Sequence, residues 1–354
     1  RELAPFSLAG WQMAFISVGL PGLLVALLVL TIKEPERGHT EEVSIKKEEK
    51  PFKEAAILLA GIVPIASIIN LIRNKSDSKE IYIQILFKLG ILGLIVVMGL
   101  LTSDWLQWSA FGLGMYALFS WIQTVKIKDP VSYQIVFKSK AMVLIMIAFP
   151  LISFIGYATS AFLPTYFMDT FDVTKTVAGK NLGLQSAIAG FLGLLFGGVL
   201  SDYLRKFFTN GRLFVGMICI VCAPVSLILT LQAETLLIFY IYHIIWSFVS
   251  TFYVGLCVAT AVDLVLPRMR GMASAFFILM ASVVGLALGP YTAGKIADLF
   301  VLQGSTTAEA LGLSLQILCS VFVLSLILLM IAMKYLPEEE TSKYEKARAL
   351  GEDC

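Results

Sequence analysis

Histidine is almost absent from this sequence: His39 and His243 are the only two in 354 residues. That shortage removes most imidazole chemistry. There is also no HExxH zinc helix, no GxSxG nucleophile turn, no HxxxxD pair and no phosphate-cradling P-loop. One histidine in an apolar stretch, with no fixed acid beside it, makes a poor active site. An enzyme is therefore the least favoured class, and neither a cofactor nor a metal is expected. Cysteine is scarce too. Cys219 and Cys222 have CxxC spacing, but they sit in an apolar helix with no second pair, and they read as buried core residues. Charge is the third shortage: Asp, Glu, Lys and Arg make up 15% of the chain. The basic residues flank apolar runs and form no stripe with interleaved stacking aromatics, which argues against nucleic acid as a partner.

What the chain has instead is apolar length. Hydrophobic residues make up 58% of it, where a soluble domain has about 45–50%, and the mean hydropathy is +0.85. The chain is read as an all-α integral membrane protein with the lipid bilayer as its first partner. The run 11–32 is long enough to cross a hydrocarbon core of about 30 Å, and Gly19, Pro21 and Gly22 interrupt it. Residues 33–54 are dense in charge and read as a solvated loop, which leaves His39 inert. Segment 55–72 holds Pro64 and Asn70 and has basic residues at both ends. It fits an interfacial or re-entrant helix better than a span. Segments 81–101 and 105–125 flank the short Thr102-Ser103-Asp104 turn and predict a transmembrane hairpin, followed by a basic linker to residue 140. Six apolar segments follow, at 141–167, 182–200, 213–231, 235–262, 271–298 and 311–335, before a polar tail at 336–354.

Loop charge predicts an orientation. Loops 33–54, 126–140, 203–212 and 267–270, with the tail from Lys334, hold 19 Lys and Arg. The loops between them hold two, Lys175 and Lys180. The positive-inside rule places the first set, and the C-terminus, in the cytoplasm, most simply across a plasma (inner) membrane. It also requires an even number of spans between 33 and 140, which again demotes segment 55–72.

Two basic corners stand out. The stretch 190–212, GFLGLLFGGVLSDYLRKFFTNGR, is a glycine-lined helix (Gly190, Gly193, Gly197, Gly198) that ends in Asp202, Arg205, Lys206 and Arg212. Small residues let helices approach closely, and an acid at the lipid boundary needs a cationic or N–H partner. The second corner is Leu266-Pro267-Arg268-Met269-Arg270-Gly271, where a proline stops one helix and arginines anchor the turn. Asp263 beside it reads as an anchoring or gate acid.

These corners resemble the major facilitator superfamily of secondary transporters. Residues 198–212 are similar to the family's loop G-x-x-x-D-[RK]-x-G-[RK]-[RK]. Gly198 and Asp202 match, Tyr203 replaces the first basic residue, and FFTN precedes Gly211-Arg212. The stretch LPRMRGMASAFFILMASVVGLALGP is most similar to the spinster-type branch. The resemblance covers about two thirds of the chain. It implies that 141–335 is the C-terminal six-helix half, helices 7–12, and that 1–38 is the end of the N-terminal half (helix 6). The 81–140 hairpin would be an insertion. It further implies that helices 1–5 are missing from this sequence, and that Gly193, Gly197 and Asp202 form a surface prepared for one of them. The chain then looks like a fragment.

For a substrate cavity the sequence offers polar groups in mid-helix, which are costly in lipid unless they face a bundle interior. Trp246, Ser250 and Tyr253 share one helical face, as do Ser153, Tyr157 and Ser160; Gln185 and Ser186 lie on the next helix. We take Tyr157, Ser160, Gln185, Trp246, Ser250 and Tyr253 as cavity candidates. Gly193, Gly197, Gly198, Asp202, Arg205, Arg212, Asp263, Arg268 and Arg270 are candidates for a conformational gate. An aromatic, hydroxyl-lined cavity without fixed charge suits a small neutral or amphipathic solute. His243 reads as an interfacial hydrogen-bonding group before a proton carrier, and Lys295 with Asp298 as a snorkelling ion pair. A non-transporting scaffold or sensor on the same fold is the alternative function.

Overall fold

The computed structural model describes residues 9–32 and 78–352. The charged loop 33–54 and segment 55–72 lie outside the described residues. The chain divides into two units, Arg1–Glu48 and Glu49–Cys354. In the first, α1 (Gly10–Val29) runs unbroken through Pro21. Its 20 residues reach about 30 Å at 1.5 Å per residue.

The first described helices of the second unit are α2 (Ser78–Thr102) and α3 (Trp105–Lys128), and no strand occurs among the described residues. The two helices form a hairpin. Ser103 makes the turn with φ 62°. Phe87 and Phe119 stack with centroids 3.8 Å apart, and Gln84 donates to Tyr116 Oη at 3.2 Å. At the open end Lys126 and Glu80 pair at 2.6 Å. By length and composition α2 can cross a membrane. Helix α3 is long enough, but Gln107, Ser109, Ser120, Gln123 and Thr124 dilute its apolar surface, and it is not among the eight segments that qualify.

Six qualifying spans follow. They are α4 (Lys140–Phe171), α5 (Lys175–Arg205), α6 (Gly211–Leu231), the segment Leu236–Asp263, the segment Pro267–Leu302 and the segment Thr307–Ala349. Helix α4 is the centre of the bundle. Ala141, Met142, Ile145, Met146, Ala148, Phe149, Ile155 and Ala158 are wholly buried and cover most of the helix circumference, which marks a helix with neighbours on most sides. Ser139 caps its start by accepting from the Met142 N–H at 3.0 Å.

Three of the six spans are not plain α-helices. The fourth is α7 (Leu236–Val249) and α8 (Phe252–Asp263), broken at Ser250 and Thr251. Thr251 Oγ1 donates to the carbonyl oxygens of Phe248 and Gly190, each at 3.0 Å. Its hydroxyl thus competes with the backbone ladder where the helix bends. The fifth has a 3-10 turn, Pro267–Met269, then α9 (Arg270–Met280), a π-turn, Ala281–Leu286, and α10 (Ala287–Leu302). The sixth is α11 (Thr307–Leu318) and α12 (Val321–Ala349).

Helix α12 alters the reading of residues 336–354 as a separate polar tail. The helix continues through Pro337 to Ala349. Glu339 accepts from the Lys140 and Ala141 N–H groups at 2.9 and 3.0 Å and from Ser139 Oγ. The extension therefore caps the central helix, an interaction favoured at the positive end of a helix dipole.

The pairing of Lys295 is also corrected. Its ammonium lies 2.5 Å from Asp104 Oδ2 in the hairpin turn, not against Asp298. Cys219 is buried as expected, but Cys222 is exposed, because its face of α6 looks outward.

Candidate functional site

The candidate residues gather at two levels of the bundle. At the basic end Asp263 is the hub. Its carboxylate pairs with Arg205 at 2.9 Å and also with Arg212, while Arg212 reaches Asp202 at 3.2 Å. Arg205 in turn binds Glu340 of the α12 extension. The four residues come from α5, α6 and α8, so the cluster clamps three helix ends together. Asp263 is 28% exposed and Asp202 is 67% exposed. Asp263 therefore has the stronger field and the larger desolvation to offset.

This overturns the pairing suggested by sequence proximity. Asp263 does not pair with Arg268. Pro267 and the 3-10 turn direct Arg268 away, to Asp129 at 2.6 Å, Ser132 Oγ at 3.2 Å and Glu352. Burial pushes the Asp129 carboxyl up, but hydrogen bonds from Arg268 and Ser132 outweigh it and hold the group below the usual aspartate range. Arg270 is half-buried at the first position of α9.

The glycines also have a different partner from the one expected. A methyl group on Gly193 would collide with the Phe248 carbonyl oxygen, and one on Gly197 would sit 2.8 Å from Phe252 Cα. These two glycines press α5 onto the break between α7 and α8 within the same bundle. They are not an open surface awaiting a helix from elsewhere. Gly198 has open space around its Cα.

Midway along the bundle lies a hydroxyl centre. Ser153 Oγ and Tyr253 Oη are 2.9 Å apart, joining α4 to α8 just past the break. A Cβ on Gly285 would fall 2.8 Å from Ser153 Cβ and 3.2 Å from Tyr157 Cδ2. The π-turn 281–286 therefore packs directly against both side chains. Tyr157 remains 40% exposed. Three irregular or proline-bearing segments thus meet around one serine hydroxyl and two phenols, none of them formally charged. π-Turns are frequent at functional positions.

The other cavity candidates are dispersed. Trp246 is buried in the apolar core and Ser250 sits in the helix break. The bend removes the straight register on which their shared face with Tyr253 depended. Gln185 is committed to His243, whose Nδ1 lies 2.8 Å from Gln185 Oε1, so the imidazole donates. His243 is buried and stacks on Phe239. Ser160 is exposed on α4. Sequence reasoning left Ser153 and Gly285 out of the site. Ser153 carried a signal, its spacing to Tyr157, whereas the π-turn at Gly285 has no sequence mark of its own.

The family model of the Major Facilitator Superfamily matches residues 4–290. The chain belongs to the Major Facilitator Superfamily. Its fold is that superfamily's, nearly all helical and embedded in a bilayer. An MFS-type efflux pump of Mycolicibacterium smegmatis (strain ATCC 700084 / mc(2)155) is 30% identical over 168 residues, 47% of this chain. The match spans 38% of that relative's length. Two crystal structures of a bacterial homolog of the human lysosomal transporter Spinster are similar in outline. The inward-facing, occupied form gives a TM-score of 0.44 at 18% identity, covering 68% of this chain and 56% of the other. The inward-facing, unoccupied form gives 0.45 at 17%, covering 68% and 58%. Among the described residues of this superfamily chain, the ion cluster at Asp263 and the centre at Ser153 are two of the places where spans are tied together by polar groups.

Proposed function

We propose that this chain supplies one six-span half of a secondary transporter that moves a small neutral or amphipathic solute by alternating access. The observation that carries this reading is the Ser153–Tyr253 pair. It lies where the fourth span breaks and the fifth carries a π-turn. Interrupted helices near the membrane middle are where facilitator-type proteins build substrate sites. The polar groups of this centre are hydroxyls, which suits a solute recognised by hydrogen bonds and stacking. The half would comprise residues 141–335 and work against an N-terminal half to which residues 1–38 belong. Helices 1–5 would come from elsewhere in a longer protein. The 81–140 hairpin would be an insertion between the halves. The basic loops and the C-terminus would face the cytoplasm of a plasma (inner) membrane. The cluster Arg205–Asp263–Arg212–Asp202 would then hold the cytoplasmic ends of this half in one arrangement while it rocks.

Flux through proteoliposomes of the intact protein tests this. A neutral amphiphile such as N-phenylnaphthylamine and an anionic dye are compared. Ser153→Ala and Tyr253→Phe each remove one hydrogen bond, worth about 1 kcal/mol, so folding survives. Either variant is expected to reduce flux of the neutral probe at unchanged protein level. Unchanged flux in both variants would exclude the hydroxyl centre, and absence of any flux from a well-folded protein would favour the scaffold reading.

A further inference from the structure

At the basic end of the bundle the α12 extension covers a cavity of about 350 Å³. Three ammonium groups line it. Lys138 comes from the segment leading into α4, and Lys343 and Lys346 lie one turn apart on the extension. One acid, Glu339, is also on the wall, but its carboxylate is engaged with Ser139 and the first N–H groups of α4. Lys343 is held in place by donating to the Asp263 carbonyl oxygen. Lys138 and Lys346 are exposed and form no ion pair with a described residue. The remaining wall is partly apolar, with Ile135, Leu264 and Ala349 among its members. Leu264 directly follows the span Leu236–Asp263, so the cavity lies at the level where spans end.

We propose that this cavity binds a phosphate-bearing anion, supplied either by the headgroup of an acidic phospholipid or by a soluble phosphate compound. Lysines near a membrane surface attract anionic headgroups by a Coulomb term that falls off within a Debye length. Here they converge from two chain segments on one cavity, whose apolar wall accommodates the carbon skeleton next to the phosphate. A simpler account has Lys346 only balancing the negative C-terminal end of α12. That account does not require the cavity or Lys138. The site is independent of which solute the protein moves.

The test uses the intact protein in phosphatidylcholine nanodiscs, with phosphatidylglycerol or with soluble pyrophosphate added. Ligand retention is read by native mass spectrometry and stability by thermal unfolding. One of the two additions is expected to bind and raise Tm. Phosphatidylglycerol acting alone identifies the lipid source, and pyrophosphate acting alone identifies the soluble one. Lys138→Gln with Lys346→Gln should weaken retention about thirtyfold. Ala349→Trp, which fills the cavity and leaves every charge in place, should abolish it. Lys128→Gln with Lys334→Gln, on exposed lysines outside the cavity, should leave it unchanged. Unfolding in phosphatidylcholine alone checks that each variant folds. Binding of neither ligand, equal loss in the two lysine pairs, or full retention in Ala349→Trp would each overturn the proposal.

Discussion

Lys295 Nζ lies 2.5 Å from Asp104 Oδ2, an ion pair that fastens the α2–α3 turn to α10. Tyr291 Oη donates to the same carboxylate at 2.9 Å, and Gln107 donates to the Ala287 carbonyl oxygen at 2.7 Å. The Trp108 ring meets Tyr291 edge-on at 5.5 Å. Both charged groups are partly exposed, so the pair itself contributes little to stability. Trp108→Ala removes a buried ring and its hydrogen bond to Thr102 and is expected to loosen the hairpin by about 3 kcal/mol or more, and Asp104→Asn by less. Disulfide trapping of a Gln107→Cys, Ala287→Cys pair in each background measures the docking. Equal trapping in both would show that the hairpin is held elsewhere.

Glycine positions along α5 should divide sharply. Gly193→Val inserts methyl groups where the Phe248 carbonyl already stands, and overpacking of this kind costs about 1–3 kcal/mol or more. Gly198→Ala, in open space, should be neutral or slightly stabilising, since alanine favours the helix. Thermal unfolding of the two variants in detergent is the measurement, and a destabilised Gly198→Ala would contradict the packing described.

At the basic end Asp263 should matter more than Asp202. Asp263→Asn removes two charge-assisted contacts from a half-buried hub and is expected to cost about 2 kcal/mol. The same change at the exposed Asp202 should stay within about 0.5 kcal/mol. Flux and unfolding of both variants give the comparison. A larger effect at Asp202 on flux alone would point to a contact made outside the residues described.

Asp129 supplies a pH signature. Its carboxyl titrates below the usual range because hydrogen bonds from Arg268 and Ser132 exceed the effect of burial. A depressed carboxylate contributes its stabilisation fully at neutral pH. That contribution fades as pH falls below about 4, the ordinary aspartate value, and is gone below the folded-state value. Tm of the native protein and of Asp129→Asn should therefore differ at pH 7 and converge in strong acid. A constant gap across the range would remove this carboxylate as the cause.

Much of the molecule could be read from composition. The apolar runs and their lengths identify a membrane protein, eight of its helices as spans and its short hairpin turn, because lipid imposes those constraints residue by residue, whereas the predicted span at 105–125 is too polar to qualify. The two corners also carried the family, since glycine, acid and arginine at fixed spacing are local features. The choice of partner was not available from sequence. Asp263 lies near Arg268 in the chain, yet Pro267 turns that corner outward and α8 delivers the acid to Arg205 and Arg212. Gly193 and Gly197 could have served any neighbouring helix, and only the packing shows that it is the broken α7–α8 span. Ser153 meets Tyr253 across 100 residues, at a level set by a helix break and a π-turn. Those irregularities arise when several helices compete for the same space. Periodicity along one helix describes which residues share a face, but the identity of what that face touches is decided by the helices around it.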